Sequence, residues 1–296
     1  MNRAARLVSP LAVLILAGCQ QSPAPEGKLL VVASFYPMYE FARQVAADRA
    51  QVISLVPPGV HGHDWEPSPQ DVAQVRRARV FVYNGAGFEP WVDKLLSEGA
   101  ASSTVVVAAS AGLAVARAGG EGMDPHVWLD PLLARREVDA IRDALERSDP
   151  AGKPAYAANA SAYGEKLAAL DARFDAGLRD CARRDVVVSH AAFGYLTRRY
   201  RLTQIAVTGL APQAEPSPAA LAAIVRTARE RQVTAIFLEP LVSPRLAETL
   251  AREVGVRLLT LNPVEGVTKQ EATDGVGYIE LMGKNLESLR EGLGCR

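Results

Sequence analysis

The chain has 296 residues, 49% of them hydrophobic and 22% charged, with 33 Lys and Arg balanced by 33 Asp and Glu. That length and composition predict a folded protein of one large or two ordinary domains and exclude a disordered chain. Zero net charge and the lack of a long basic run argue against a nucleic-acid partner; Arg76, Arg77, Arg79, Arg183 and Arg184 fall at predicted helix ends, where cations complement the dipole.

In chain order, the start stands apart. Arg3 and Arg6 precede an apolar run from Leu11 to Ala17, followed by small residues and Cys19. That pattern predicts a signal peptide over residues 1–18. The run is shorter than the ~20 residues a permanent membrane span needs. Leu16-Ala17-Gly18-Cys19 resembles the bacterial lipoprotein box, which implies lipidation of Cys19 and cleavage just before it. Residues 19–28 are polar with two prolines, a tether composition.

Beyond residue 28, short apolar runs rich in β-branched residues alternate with segments of helical spacing. Strands are expected at Leu29–Ser34, Val52–Val56, Val80–Tyr83 and Thr104–Ala108, with helices at Tyr39–Ala47 and Pro69–Arg77. The scheme repeats at Asp185–Ser189, Gln204–Val207, Ala235–Leu238 and Arg257–Leu261, with helices near His190–Arg199, Ala219–Glu230 and Pro244–Val254. Strands that are apolar on both faces and separated by helices predict parallel sheets covered on both sides. Between the two halves, large apolar residues at 156, 163, 167, 170, 174 and 178 form one helical stripe over Pro154–Cys181. A single helix of that length, roughly 40 Å, would make a stiff hinge. The expected organisation is therefore two parallel-sheet α/β lobes, residues 29–149 and 183–296, joined by one long helix within 150–182.

Two cysteines remain, Cys181 and Cys295. Outside the cytoplasm an even remainder suggests a disulfide, here one that would pin the chain end; two unrelated thiols are the alternative. The four histidines are His61, His63, His126 and His190, and all fall in loops at or near predicted strand ends. Ligands of parallel α/β sheets bind outside the carboxyl ends of the strands. At a helix N-terminus the imidazole of His190 is favoured in its neutral form, the form a metal needs.

Six stretches, PPGVHGHDWEPSP, DPHVWLDP, SHAAFGYLTRRY, GLAPQAEPSP, IFLEPLVSP and LNPVEG, run in order through the chain. Together they resemble the zinc/manganese solute-binding proteins of bacterial ABC transporters. The resemblance implies two α/β lobes on one long helix, with the metal in the cleft between them. It implies ligation by His63, three residues before Glu66-Pro67, by His126 of the Asp-Pro-His segment, and by His190. The family's fourth ligand is often an aspartate just before the tyrosine of the last helix, which corresponds to Tyr278. Val276 and Gly277 precede that tyrosine and cannot ligate through a side chain. Asp274 is then the expected fourth ligand, with Glu239, Glu66 or water as alternatives. Glu239 and Glu215 are also expected as hydrogen-bond partners behind the site. His61 is expected as a solvent-exposed loop residue, or else as a transient acceptor at the mouth.

Three imidazoles and one oxygen suit Zn2+, with Mn2+ as the alternative that would favour more oxygen ligands. The implied function is extracytoplasmic capture of the ion, in the periplasm or at the cell surface. The carrier would be a lipid-anchored monomer serving a membrane permease and its cytoplasmic ATPase. A secreted zinc hydrolase is the alternative from another class, since three histidines plus water also make an open catalytic site. Against it, there is no H-E-x-x-H and the histidines are spread over both lobes. A metal-binding surface adhesin is the third reading.

Overall fold

The structure, a computed structural model, describes residues 28–97, 103–115, 122–210 and 217–296. The expected signal peptide, Cys19, residues 19–27 of the tether and Glu215 lie outside them. Eight strands form two four-stranded parallel sheets. The first holds β1 (Leu29–Ala33), β2 (Ala50–Ser54), β3 (Val80–Tyr83) and β4 (Val105–Ala108) in the order β2-β1-β3-β4. The second holds β5 (Asp185–Val188), β6 (Thr203–Ala206), β7 (Ala235–Leu238) and β8 (Arg257–Thr260) in the order β6-β5-β7-β8. In each, the chain turns from one side of the first strand to the other, so a switch point opens beside β1 and beside β5. The carboxyl ends of those strands are where such sheets place ligands.

The helices begin where local chemistry favours it. Helix α1 (Tyr36–Ala46) starts three residues earlier than its spacing suggests, because Pro37 fits the first turn. Helix α2 (Pro69–Arg77) opens on a full capping box: Ser68 accepts from the Asp71 backbone N–H, and the Asp71 carboxylate accepts from that of Ser68. A short α3 (Val92–Ser97) follows β3. Helix α4 (Pro131–Ser148) is capped by the Asp130 carboxylate, which accepts from the N–H groups of Leu132 and Leu133. Strand β2 sits two residues earlier than expected. Pairing with β1 sets its register, Leu29 to Ala50 through Ala33 to Ser54, and Leu55 and Val56 continue as a buried loop bonded to Ala33 and Ser34.

The joining helix is α5 (Lys153–Leu178), 26 residues and so about 39 Å long. Its buried stripe includes Tyr156, Tyr163, Leu167, Leu170, Phe174 and Leu178, the periodicity read from the sequence. It packs against α1 and α4 of the first lobe and against α10 (Tyr278–Leu293) of the second. One continuous core therefore runs through both lobes. The helix ends three residues before Cys181, because the Arg184 guanidinium donates to the last carbonyls, those of Leu178 and Arg179. Cys181 then forms a disulfide with Cys295, 114 residues away. By chain entropy a closure of that length contributes about 4–5 kcal/mol, and it ties the end of α10 to the end of α5. The second lobe is completed by α6 (Gly194–Arg199), α7 (Pro218–Glu230), α8 (Arg245–Val254) and α9 (Lys269–Thr273). No helix of the described residues is long and apolar enough to cross a membrane.

Candidate metal centre

The loops at the carboxyl ends of the strands meet between the sheets. His63 follows β2, His126 follows β4, and His190 stands two residues beyond β5. The loop after β8 brings Glu265 to the same point. One donor atom from each of these four residues lies within 4.8 Å of all the others. His63 Nε2 is 3.4 Å from His126 Nε2. Glu265 Oε1 is 3.2 Å from the Nε2 atoms of both His126 and His190, and 3.6 Å from that of His63. A tetrahedral zinc ion with bonds near 2.0–2.1 Å has ligand–ligand edges of about 3.3–3.4 Å. The apposed atoms are already spaced as such edges.

The two fully buried imidazoles, His126 and His190, are held from behind. Asp124 Oδ1 lies 2.9 Å from Nδ1 of His126, and Glu239 lies 2.8 Å from Nδ1 of His190. These bonds set the tautomer that leaves Nε2 facing the cleft and raise its basicity. Two glycines make the packing possible. A Cβ on Gly62 would come within 2.9 Å of the Phe88 ring, and one on Gly194 within 2.8 Å of Asp124 Oδ2. Gly62 thus lets the histidine loop lie on Phe88, whose ring is 4.4 Å from that of His63, and Gly194 makes room for the carboxylate behind His126.

The His126 loop has a further support. Asn84 Nδ2 donates to the Pro125 carbonyl, while Glu89 accepts from the Asn84 and Gly85 backbone and from Ser34 Oγ. Burial raises the Glu89 carboxyl, against these hydrogen bonds, to about 7. Its folded-state value is above the unfolded one, so the folded protein holds the proton more tightly. The resulting stability is complete below an unfolded value near 4.5 and is lost as pH rises through about 7. That loss is on the order of 3 kcal/mol. Metal-free Glu89→Gln should lack this part of the pH dependence in denaturant titrations, and parallel curves for the two proteins would refute the assignment.

The second lobe closes on the site from the other side. Trp128 Nε1 donates to the Pro263 carbonyl at 2.8 Å, and the Gly59 N–H donates to that of Val267 at 2.7 Å. The segment carrying Glu265 is therefore tied to the first lobe on both sides of the carboxylate. Tyr36 Oη, bonded to the Val276 carbonyl, and Tyr278 Oη, bonded to that of Trp128, add further links between the lobes.

The electrostatics follow from that enclosure. Burial disfavours the charged form of His190, but its bonds to Glu239 and Glu265 win and push it up to about 10. His126 is raised in the same way by Asp124 and Glu265. Burial also opposes ionisation of Glu265, yet the surrounding imidazoles hold its carboxyl well below the usual range. Without metal His190 therefore holds a proton, against the neutral form that its place at a helix start suggested, and an entering cation displaces that proton.

Among the sequence candidates, His63, His126 and His190 converge. Asp274 does not join them. It stands exposed at the end of α9, where its carboxylate accepts from Gln270 Nε2 at 2.8 Å. The turn through Gly275, at φ 70°, leads away from it to Tyr278 at the start of α10. Glu66 is also exposed. Glu239 sits behind His190 rather than among the four. His61 is neither exposed nor at the mouth: it is 8% accessible, with Nε2 2.9 Å from Glu265 Oε2. Sequence reasoning passed over Glu265, although it lies in LNPVEG, directly after the last strand of the second sheet. The rule that pointed to the histidines, a ligating side chain in a loop leaving a strand's carboxyl end, also covers it.

The whole chain has known relatives. Residues 31–292 match the family described as ZnuA, zinc-uptake complex component A, periplasmic. The chain is 37% identical to the high-affinity zinc uptake system protein ZnuA of Bacillus subtilis (strain 168), over 95% of this chain and 94% of that one. It is also 37% identical to the zinc-binding lipoprotein AdcA of Streptococcus pneumoniae serotype 4, over 98% of this chain but 61% of that longer protein. The crystal structure of the Zn(II)-bound ZnuA-like domain of Streptococcus pneumoniae AdcA superposes with a TM-score of 0.80 at 41% identity, covering 90% of this chain and 99% of that domain. Fold, strand-end site and sequence agree, and the chain belongs to the ZnuA family of zinc-uptake components.

Proposed function

We propose that the protein is the extracytoplasmic zinc receptor of an ABC transporter. It takes Zn2+ from solution between its lobes and gives it up to a membrane permease driven by a cytoplasmic ATPase. His63, His126, His190 and Glu265 are the proposed ligands. The observation that carries this reading is the set of four donor atoms converging within 4.8 Å of one another, with His126 and His190 backed by carboxylates. Four protein ligands close the coordination sphere, whereas a catalytic zinc keeps a position for water or substrate. That favours capture over hydrolysis. Three nitrogen donors to one oxygen favour zinc over manganese. The zinc-binding relatives support the cargo, and the lipoprotein among them supports anchoring through Cys19, with residues 1–18 as the removed leader and 19–28 as the tether.

The test is a titration of metal-free protein with Zn2+ and with Mn2+ in competition with a chromophoric chelator. One zinc per chain, bound at least about 100-fold more tightly than manganese, is the expected result. Stoichiometric manganese with weak or no zinc binding would overturn the reading.

A further inference from the structure

Only one oxygen of Glu265 faces the imidazoles. Oε1 lies 3.2–3.6 Å from the Nε2 atoms of His63, His126 and His190. Oε2 points the other way, into a small recess bordered by His61, Glu239, Asn262 and Gly266. It is fully buried and receives no well-formed hydrogen bond from any described residue. His61 Nε2 lies 2.9 Å from it but off the ring's N–H axis. Neither nitrogen of this buried ring has another hydrogen-bond partner. The turn that places His63 also places His61: Gly62 between them lies on Phe88, and the two imidazoles stack at 5.5 Å with 20° between their planes.

A carboxylate can give a metal one oxygen or two. Were Oε2 unopposed, a modest rotation would turn Glu265 into a two-oxygen ligand and raise the coordination number to five. Zinc is satisfied by four tetrahedral ligands, whereas manganese favours oxygen-rich, higher-coordinate sites. Resting on the zinc-receptor reading above, we propose that His61 is a positioning residue that sets metal specificity. Standing against Oε2 at 2.9 Å, its ring confines Glu265 to a single metal contact through Oε1. The site stays four-coordinate, and manganese is denied the second oxygen.

The test compares wild type, His61→Ala and His61→Gln, each prepared metal-free. Each is titrated separately with Zn2+, Mn2+ and Co2+, the last read by its visible absorption, which is intense in tetrahedral sites and weak at higher coordination. Wild type should give the intense spectrum. His61→Ala should give the weak one and should bind zinc 10–100-fold less tightly, the usual cost of losing a group that orients a ligand. Its zinc-to-manganese preference should fall at least about tenfold in consequence. His61→Gln, whose amide can still donate to Oε2, should restore the intense spectrum, which a general loss of packing would not allow. If wild type binds zinc and His61→Ala keeps both its cobalt spectrum and its metal preference, the His61 role is wrong and the receptor reading stands. A weak, higher-coordinate cobalt spectrum in wild type would also overturn it, because His61 or Oε2 would then be a ligand itself. Absence of zinc binding in wild type would overturn the receptor reading and the His61 role with it.

Discussion

His190→Ala is expected to lower zinc affinity by at least about 1,000-fold, some 4 kcal/mol. The loss has two sources. One of the four donors disappears, and two carboxylates lose the group that joins them. His190 is fully buried, with Glu239 against one ring nitrogen and Glu265 against the other. An alanine leaves both acids facing each other across an apolar gap. Removing one partner of a buried charged pair costs about 3–5 kcal/mol, so the metal-free variant should also melt at a lower temperature. Affinity is therefore to be measured by chelator competition well below that transition, on protein whose circular dichroism matches wild type. Binding within tenfold of wild type would remove His190 from the ligand set.

Glu265→Ala and Asp274→Ala should separate just as widely. Glu265 is 1% accessible and shares its Oε1 with all three imidazoles of the centre. Its loss takes away the one carboxylate among the four converging donors and leaves the three imidazoles around an empty corner. A fall in zinc affinity of at least about 100-fold is expected. Asp274 ends α9 at the surface and bonds to Gln270; its replacement should leave binding within about twofold, as surface changes away from special features usually do. Isothermal titration of the two variants side by side decides the matter. A large loss from Asp274→Ala with little from Glu265→Ala would return the fourth ligand to the aspartate.

Those two carboxylates mark where sequence stops and tertiary structure begins. The eight strands were legible because short, largely apolar runs alternate with segments of helical spacing, as parallel sheets covered by helices require. The joining helix was legible because its apolar stripe repeats with the helical period from Tyr156 to Leu178. The Asp130 cap and the Ser68–Asp71 capping box are local hydrogen bonds written in adjacent residues. Three candidate ligands were legible because histidine is scarce in this chain, with four in 296 residues, and the family resemblance singled out three of them. Carboxylates carry no such signal. With 33 of them in the chain, proximity to a conspicuous tyrosine pointed to Asp274, and only the path of the loop after β8 showed that Glu265 arrives instead. The same holds for the start of β2, which its partner strand decides, and for His61. A histidine two residues from a ligand reads as an exposed neighbour. It is buried because Gly62 lies against Phe88 and Glu265 approaches from the other lobe. By itself the sequence determined the elements, their order and the three imidazoles, since these rest on local periodicity and on residues too rare to be misplaced. Which acid completes the centre, and which face of each histidine meets it, was decided only when the two lobes, joined through α5, closed on one another.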